Sequence, residues 1–558
     1  MKIKNLSSRI SMLIVAMAAM SITMTSCSNS DDKDTTPPPS SPDSYAPENG
    51  DEYQIEVGEG MVMPNNDFLN VPSVAGDQNI INTLKSIEGV IDVKAFEIAE
   101  RYDYYADQII YKTAYYFNYM QDIDHDDPSK GWFKQQCVLT VAGQDRPTVL
   151  HTEGYALYKN NNQLEKIVEP ALVSVLGANC LQVEYRYHGW SLPEGYTNKW
   201  NYLNARQHSA DLHTIVTAIK QSGVVGNGKW LATGVSKNGM TSAHYAYYYP
   251  NEMDAYVPFC APFMLGLSDR GPFSHILTKE AFGENEELMN KVKTAFRTYC
   301  GNRELQAQCV QIYRTLNPQV TSTDEDIRFY LLHCLFQYYY IKMMYVPFKK
   351  WESMIPNEGD PAQKYYDFLM ANSTTIYAEE TDDDYNRRQG TVDDLNPDSV
   401  IWDAPSLLTR AADAIVERHD PYTVQICIEL GDFAYLTDWV SDLLTDKEKE
   451  YFINHCSNPA SYGVTYDGGR FVREFLEGMK QSNCHIMFVY GMQDPWTGGQ
   501  IPDEKMGVNC RKLFINHPTD RRSDAGLHND YIDQWNASEK SQLFQWLNQL
   551  GFLTNPAE

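Results

Sequence analysis

Between residues 132 and 263 the sequence alternates short apolar runs with helix-like stretches, and that order leaves few folds open. WFKQQCVLTV (132–141), TVLHTEGYAL (148–157), CLQVEYRYHG (180–189), KWLATGVS (229–236) and AYVPFCAPF (255–263) have the length and composition of strands. NARQHSADLHTIVTAIKQ (204–221) has apolar residues at helical spacing, and MTSAHYAYYYP (240–250) reads as a helix ended by Pro250. Short apolar strands separated by helices predict an α/β fold, a mostly parallel sheet with helices on both faces. Upstream, residues 78–120 carry helical spacing in part and end in a strand-like aromatic run. From about 266 the chain turns mostly helical until CHIMFVYG (484–491) restores a strand; RKLFINH (511–517) follows, and EKSQLFQWLNQLGF (539–552) closes as a helix. The division this predicts is a first core part at 78–265, a helical insertion or lid at 266–480, and a second core part at 481–558.

The start of the chain has a different character. Lys2, Lys4 and Arg9 flank the apolar stretch MLIVAMAAMSIT, too short to span a bilayer comfortably, and Met24-Thr25-Ser26-Cys27 follows. Residues 1–26 therefore read as a secretory signal, and the small residue before Cys27 resembles the cleavage box of bacterial lipoproteins, with Cys27 as the lipidated N-terminus. The polar, Pro/Ser-rich stretch from Cys27 to residue 77 is predicted to be an extended tether. Its SDDKD run resembles the export signal of surface-exposed lipoproteins, so an exported, outer-membrane lipoprotein is expected. A formal net charge of −28 argues against nucleic acid or an anionic bilayer surface as partner and leaves the lipid anchor as the route to a membrane. The chain has eleven cysteines, none at C-x-x-C spacing, and no metal or cofactor is called for. In an exported protein Cys300 and Cys309 are the nearest candidates for a local disulfide.

LATGVSKNGM (231–240) nearly matches G-x-S-x-G, the sharp strand-to-helix turn that presents a catalytic serine. Gly234 precedes Ser236 correctly, but Asn238 stands where the second glycine belongs. Asn is the non-glycine residue that best tolerates positive φ, so the departure is physically survivable. A serine nucleophile needs a base and an orienting carboxylate, in the chain order Ser…Asp/Glu…His for this architecture. Asp494, in the loop after CHIMFVYG, is correctly placed for the carboxylate. His528, in the loop before the last helix, is preferred as base over His517, which ends a strand. The oxyanion hole needs two N–H donors; Lys237 follows the nucleophile, and the second donor is expected near Gly154 or Tyr155, after TVLHTE.

IDHDDPSKGWFKQQ (123–136), TVLHTEGYAL, VEYRYHGWSLP (183–193), YLNARQHSADL (202–212), GVSKNGMTSAHYAYYYP (234–250), IELGDFAYLTDW (428–439) and FVYGMQDPWTGG (488–499) occur in the order seen in the tripeptidyl-aminopeptidase family of bacterial serine peptidases. Together they resemble that family and, more distantly, prolyl carboxypeptidase and dipeptidyl peptidase II. The resemblance spans roughly residues 78–550 and implies an α/β-hydrolase core, a helical lid and release of short peptides from free N-termini. Asn238 departs from the family's glycine, and HPTDRRSDAGLHND is longer than its compact glycine-asparagine-histidine turn. A lipid-anchored serine peptidase on peptide substrates is the leading reading; an inactive peptide-binding lipoprotein or a serine esterase on the same fold are the alternatives. An exopeptidase must hold a free ammonium in a partly desolvated cleft, which needs a carboxylate. Glu153 and Glu184 stand at strand ends near the expected rim; Glu184 can instead pair with Arg186, so Glu153 is favoured.

Overall fold

The computed structural model describes residues 73–102, 109–157, 169–193, 200–371, 421–453, 458–516 and 525–553. The signal segment, Cys27, most of the tether and His517 lie outside the described residues.

Nine strands form one sheet: β1 (Val90–Tyr102), β2 (Ile109–Asp122), β3 (Trp132–Thr140), β4 (Thr148–Thr152), β5 (Asn179–Val183), β6 (Trp230–Val235), β7 (Ala255–Phe259), β8 (Ile486–Gly491) and β9 (Cys510–Ile515). Their order is β1-β2-β3-β5-β4-β6-β7-β8-β9. The pairs from β5 through β4, β6, β7 and β8 to β9 are all parallel, and the β1-β2-β3-β5 side is antiparallel. This is the parallel α/β core that the apolar runs predicted, with an antiparallel flank added at its start.

The strands are buried on both faces because successive side chains alternate. Leu150, Leu181, Ala232, Tyr256 and Phe488 pack into one cluster, while their neighbours Val149, Cys180, Leu231, Val257 and Val489 pack into another on the opposite face. Helices α1 (Gln78–Lys85), α2 (Ala205–Ser222) and α3 (Lys237–Tyr248) cover the first face. Between β7 and β8 the described chain is helical and builds its own aromatic core, centred on the long helix α4 (Asp324–Tyr345). Helix α5 (Arg470–Gln481) departs from the predicted division at 480. Its Phe471, Val472, Phe475, Leu476 and Met479 pack with the sheet's first face, so it serves the core rather than the insertion. Helix α6 (Ala537–Gln549) closes the second face through Leu543, Trp546 and Leu547.

Cys300 and Cys309 are separate, buried free thiols in the core of the insertion, which corrects the expected local disulfide: Cys309 Sγ lies 3.5 Å from Ala362 O instead. Among the described residues no helix is long and apolar enough to cross a membrane.

Candidate active site

Ser236 ends β6 and immediately precedes α3, with φ 61° and ψ −126°. A non-glycine residue held at positive φ is strained, and here the strain falls on the residue that the turn projects from the sheet. Two backbone hydrogen bonds fix the elbow: Ser236 N–H to Phe259 O at 3.0 Å on the neighbouring strand, and Met240 N–H to Ser236 O at 2.8 Å in the helix. Gly239 lets α3 come down on β7, since a Cβ there would lie 2.5 Å from Phe259 O. Asn238 itself sits within the helix and is not among the positive-φ residues, so its tolerance of that conformation is not what permits it. Gly234 opposite makes the room: a Cβ on it would lie 2.6 Å from the Asn238 Cβ.

Asp494 and His528 meet directly. Asp494 Oδ2 lies 2.7 Å from His528 Nδ1, and both side chains are buried. The aspartate is also a cap, its Oδ1 accepting from Trp496 N–H at 3.1 Å. The histidine loop reaches it because Gly491, at the end of β8, carries no side chain; a Cβ there would lie 2.4 Å from Gly526 O and 2.5 Å from Leu527 O. Gln493 N–H to Gly526 O at 2.9 Å ties the two loops together. From the insertion, Met344 O accepts the His528 N–H at 3.0 Å, and the Tyr345 ring stands edge-on to the imidazole. With Nδ1 on the aspartate, His528 Nε2 is buried and has no hydrogen-bond partner among the described residues. Ser236, Asp494 and His528 thus all stand at the carboxyl ends of parallel strands, the edge where sites form in such sheets. Cys260, just past β7, completes a trio with Asp494 and His528 whose ligand atoms lie within 4.8 Å of one another. Those three could hold a soft cation, but the Asp494–His528 hydrogen bond already engages two of them.

The loop after β4 lies against the start of α3. Gly154 N–H donates to Asn238 Oδ1 at 2.7 Å, so Gly154 is not the free oxyanion donor that the sequence suggested. Its lack of a side chain is still required, because a Cβ would lie 2.7 Å from Lys237 Cγ. The other donors named from the sequence are Lys237 N–H, at the first position of α3, and Tyr155 N–H, in the same loop as Gly154. The Lys237 side chain is buried; its ammonium donates to Gly154 O and lies 3.8 Å from the Tyr185 ring centroid, with Tyr155 and Tyr422 each at 5.3 Å. Glu153 Oε2 accepts from Asn238 Nδ2 at 2.8 Å, and its Oε1 lies 3.2 Å from His151 Nδ1.

Glu184 is a correction. It is wholly buried, accepting at Oε1 from Leu157 N–H (3.0 Å) and at Oε2 from Trp190 N–H (2.9 Å), Ser191 N–H (2.8 Å) and Ser191 Oγ (2.7 Å). Burial pushes its carboxyl up to about 8 against the pull of those donors. It shapes the turn after β5 and has no face left for a substrate. Nor does it pair with Arg186, which is bidentate to Asp211 at 2.8 and 2.6 Å.

The fold and this geometry define an α/β-hydrolase of serine-hydrolase type. More particularly, residues 91–299 match the family described as PS-10 peptidase S37. The chain is 25% identical over 386 residues to a prolyl tri/tetrapeptidyl aminopeptidase of Streptomyces mobaraensis, covering 68% of this chain and 69% of that one. The enzyme class is that of a serine peptidase, as the motifs implied. Among solved structures, the proline iminopeptidase of Mycobacterium smegmatis aligns at TM-score 0.32 and 10% identity, over 78% of this chain and 98% of its own. The esterase LipA of Xanthomonas oryzae aligns at 0.34 and 11%, over 83% and 98%. At those scores the likenesses add nothing to the topology already described.

Proposed function

We propose that this serine peptidase is an exopeptidase that releases short peptides, tripeptides among them, from free N-termini through an acyl-enzyme. Ser236 Oγ attacks the scissile carbonyl and gives its proton to His528 Nε2, while Asp494 Oδ2 holds the Nδ1–H tautomer and steadies the imidazolium. Lys237 N–H and Tyr155 N–H stabilise the tetrahedral oxyanion. His528 returns the proton to the leaving amine, and a water activated by the same imidazole releases the peptide. Glu153 holds the substrate ammonium. The observation that carries this reading is the buried 2.7 Å Asp494–His528 contact, which leaves Nε2 without a partner among the described residues; the strained elbow at Ser236 supports it. The name of the Streptomyces mobaraensis relative supports the exopeptidase part.

Ser236→Ala leaves the thermal transition in place, abolishes labelling by a fluorophosphonate and lowers turnover by several orders of magnitude. Wild-type turnover in that variant removes Ser236 from the mechanism. His528→Ala and His517→Ala, assayed side by side, decide the base: loss in the first alone is expected, and loss in the second alone reverses the assignment. We further propose that the chain is exported and anchored through Cys27, which incorporation of a fatty-acid analogue in the wild type and not in Cys27→Ala would test.

A further inference from the structure

The side chain of Asn238, the residue that spoils the G-x-S-x-G match, bridges two elements 84 residues apart. Its Oδ1 accepts from Gly154 N–H at 2.7 Å and its Nδ2 donates to Glu153 Oε2 at 2.8 Å, with His151 Nε2 a further 3.3 Å contact. Its backbone carbonyl joins the same junction, accepting from Thr152 Oγ1 at 2.9 Å. The amide's orientation is dictated by its partners, since a main-chain N–H can only donate and an ionised carboxylate can only accept. The reach is equally specific. Gly234 and Gly154 both lack the side chain that would collide with Asn238, and the Gly154 Cβ would lie 2.9 Å from Oδ1. A glycine at 238 would leave these two bonds unmade.

We propose that Asn238 is a positioning residue whose amide clamps the Glu153–Tyr155 turn onto the first turn of the nucleophile's helix, so that one side chain sets both the oxyanion loop and the ammonium-binding carboxylate. The proposal rests on the serine-peptidase reading of Ser236. Donors aimed at a developing charge lose effect steeply with displacement, so a clamp on the loop is felt in the chemical step more than in substrate binding.

The test reads the second-order rate of fluorophosphonate labelling at Ser236, kcat and KM on an N-blocked ester that needs no ammonium site, and the melting midpoint. Asn238→Ala is expected to lower labelling and ester kcat by about tenfold or more, with KM within about threefold. Asn238→Asp alone sets two carboxylates against each other and is expected to be slow as well. Combining Asn238→Asp with Glu153→Gln exchanges donor and acceptor: the new carboxylate still accepts from Gly154 N–H and now also from the introduced amide. That pair is expected to return labelling and ester kcat to within about threefold of wild type. Wild-type rates in Asn238→Ala overturn the proposal, as does a double variant no faster than Asn238→Asp. If the alanine variant does not fold, the comparison of Asn238→Asp with the double variant decides alone. A wild type that resists labelling ends both this proposal and the reading beneath it; a labelled wild type with an indifferent Asn238→Ala ends this one only.

Discussion

Glu153 follows β4 and Glu184 follows β5, one strand over, yet their carboxylates meet different surroundings. Every donor around Glu184 belongs to its own turn or to the 157 loop, and the nearest glycine, Gly189, is packed so tightly on it that a Cβ would lie 2.0 Å from Oε1. Glu153 instead touches the helix that starts at the nucleophile. Losing a charge-assisted contact to a substrate ammonium costs about 1.5–3 kcal/mol. Glu153→Gln keeps an acceptor oxygen for Asn238, so the loop stays held. The variant is expected to cleave free-amine peptides roughly tenfold more slowly in kcat/KM and to leave an N-blocked ester nearly unchanged. Equal loss on both substrates would assign Glu153 to the loop instead.

At the scale of elements, α2 is fastened to the sheet by one buried ion pair. Asp211, wholly buried on α2, takes both forks of Arg186 and also lies 2.7 Å from His125 Nε2. Arg186 in turn donates to Ile123 O, Tyr202 O and Asp122 O, joining the end of β2, the stretch before α2 and the turn after β5. Removing one partner leaves the other charge buried and unpaired, so Asp211→Ala is expected to lower unfolding free energy by about 3–5 kcal/mol in a denaturant titration. A loss below about 1 kcal/mol would mean that water replaces the carboxylate. The same elements show what could be read in advance. The parallel strands were legible because two-sided burial makes them continuous apolar runs, as in TVL and FVYG. β1 was not, because VIDVKAFEIAERY mixes charges into an edge strand that no helix-sheet alternation announces. The pairing of Asp494 with His528 was legible from chain order together with their places in loops that follow strands. The roles of Asn238 and Glu184 were not, since each depends on backbone N–H groups brought by another loop, and Asn238 was flagged only as an irregularity and read for its φ.

Over the whole molecule, buried titratable groups of two kinds set opposing limits on stability with pH. Burial pushes Glu184 up to about 8 and Glu429 up to about 7, both from 4.5. The native state keeps these protons after the unfolded chain has released its own, so stability is lost as pH rises from about 4.5 towards 7 for Glu429 and 8 for Glu184. Burial pushes His208 and His333 down to about 4 and His244 to about 3, from 6.5. The unfolded chain takes up protons below 6.5 that the native imidazoles refuse, so stability is lost as pH falls through that range. Between about 4.5 and 6.5 the carboxyls gain on acidification part of what the imidazoles lose, two groups against three, so about one proton's slope remains and stability still falls towards the acid side. Below that window the histidines continue to lose, joined by Asp211, which Arg186 holds far below the usual carboxylate range despite its burial. Above it Glu429 and then Glu184 lose stability at roughly 1.4 kcal/mol per pH unit for each proton, until above about 7 Lys342, which burial pushes from 10.5 down to about 7, returns a comparable amount, because the unfolded chain keeps a proton that the native amine has released. Tm is therefore expected to be highest near pH 6.5, to fall from 6.5 to 7 and to level off from 7 to 8. Between about 7 and 8 Glu184 and Lys342 oppose one another, so Glu184→Gln, which stays neutral, should turn that level stretch into a rise whatever it does to Tm elsewhere. A Glu184→Gln variant whose Tm changes between pH 7 and 8 just as the wild type's does would show that the Glu184 carboxyl is ionised in the folded protein and held by its four donors alone.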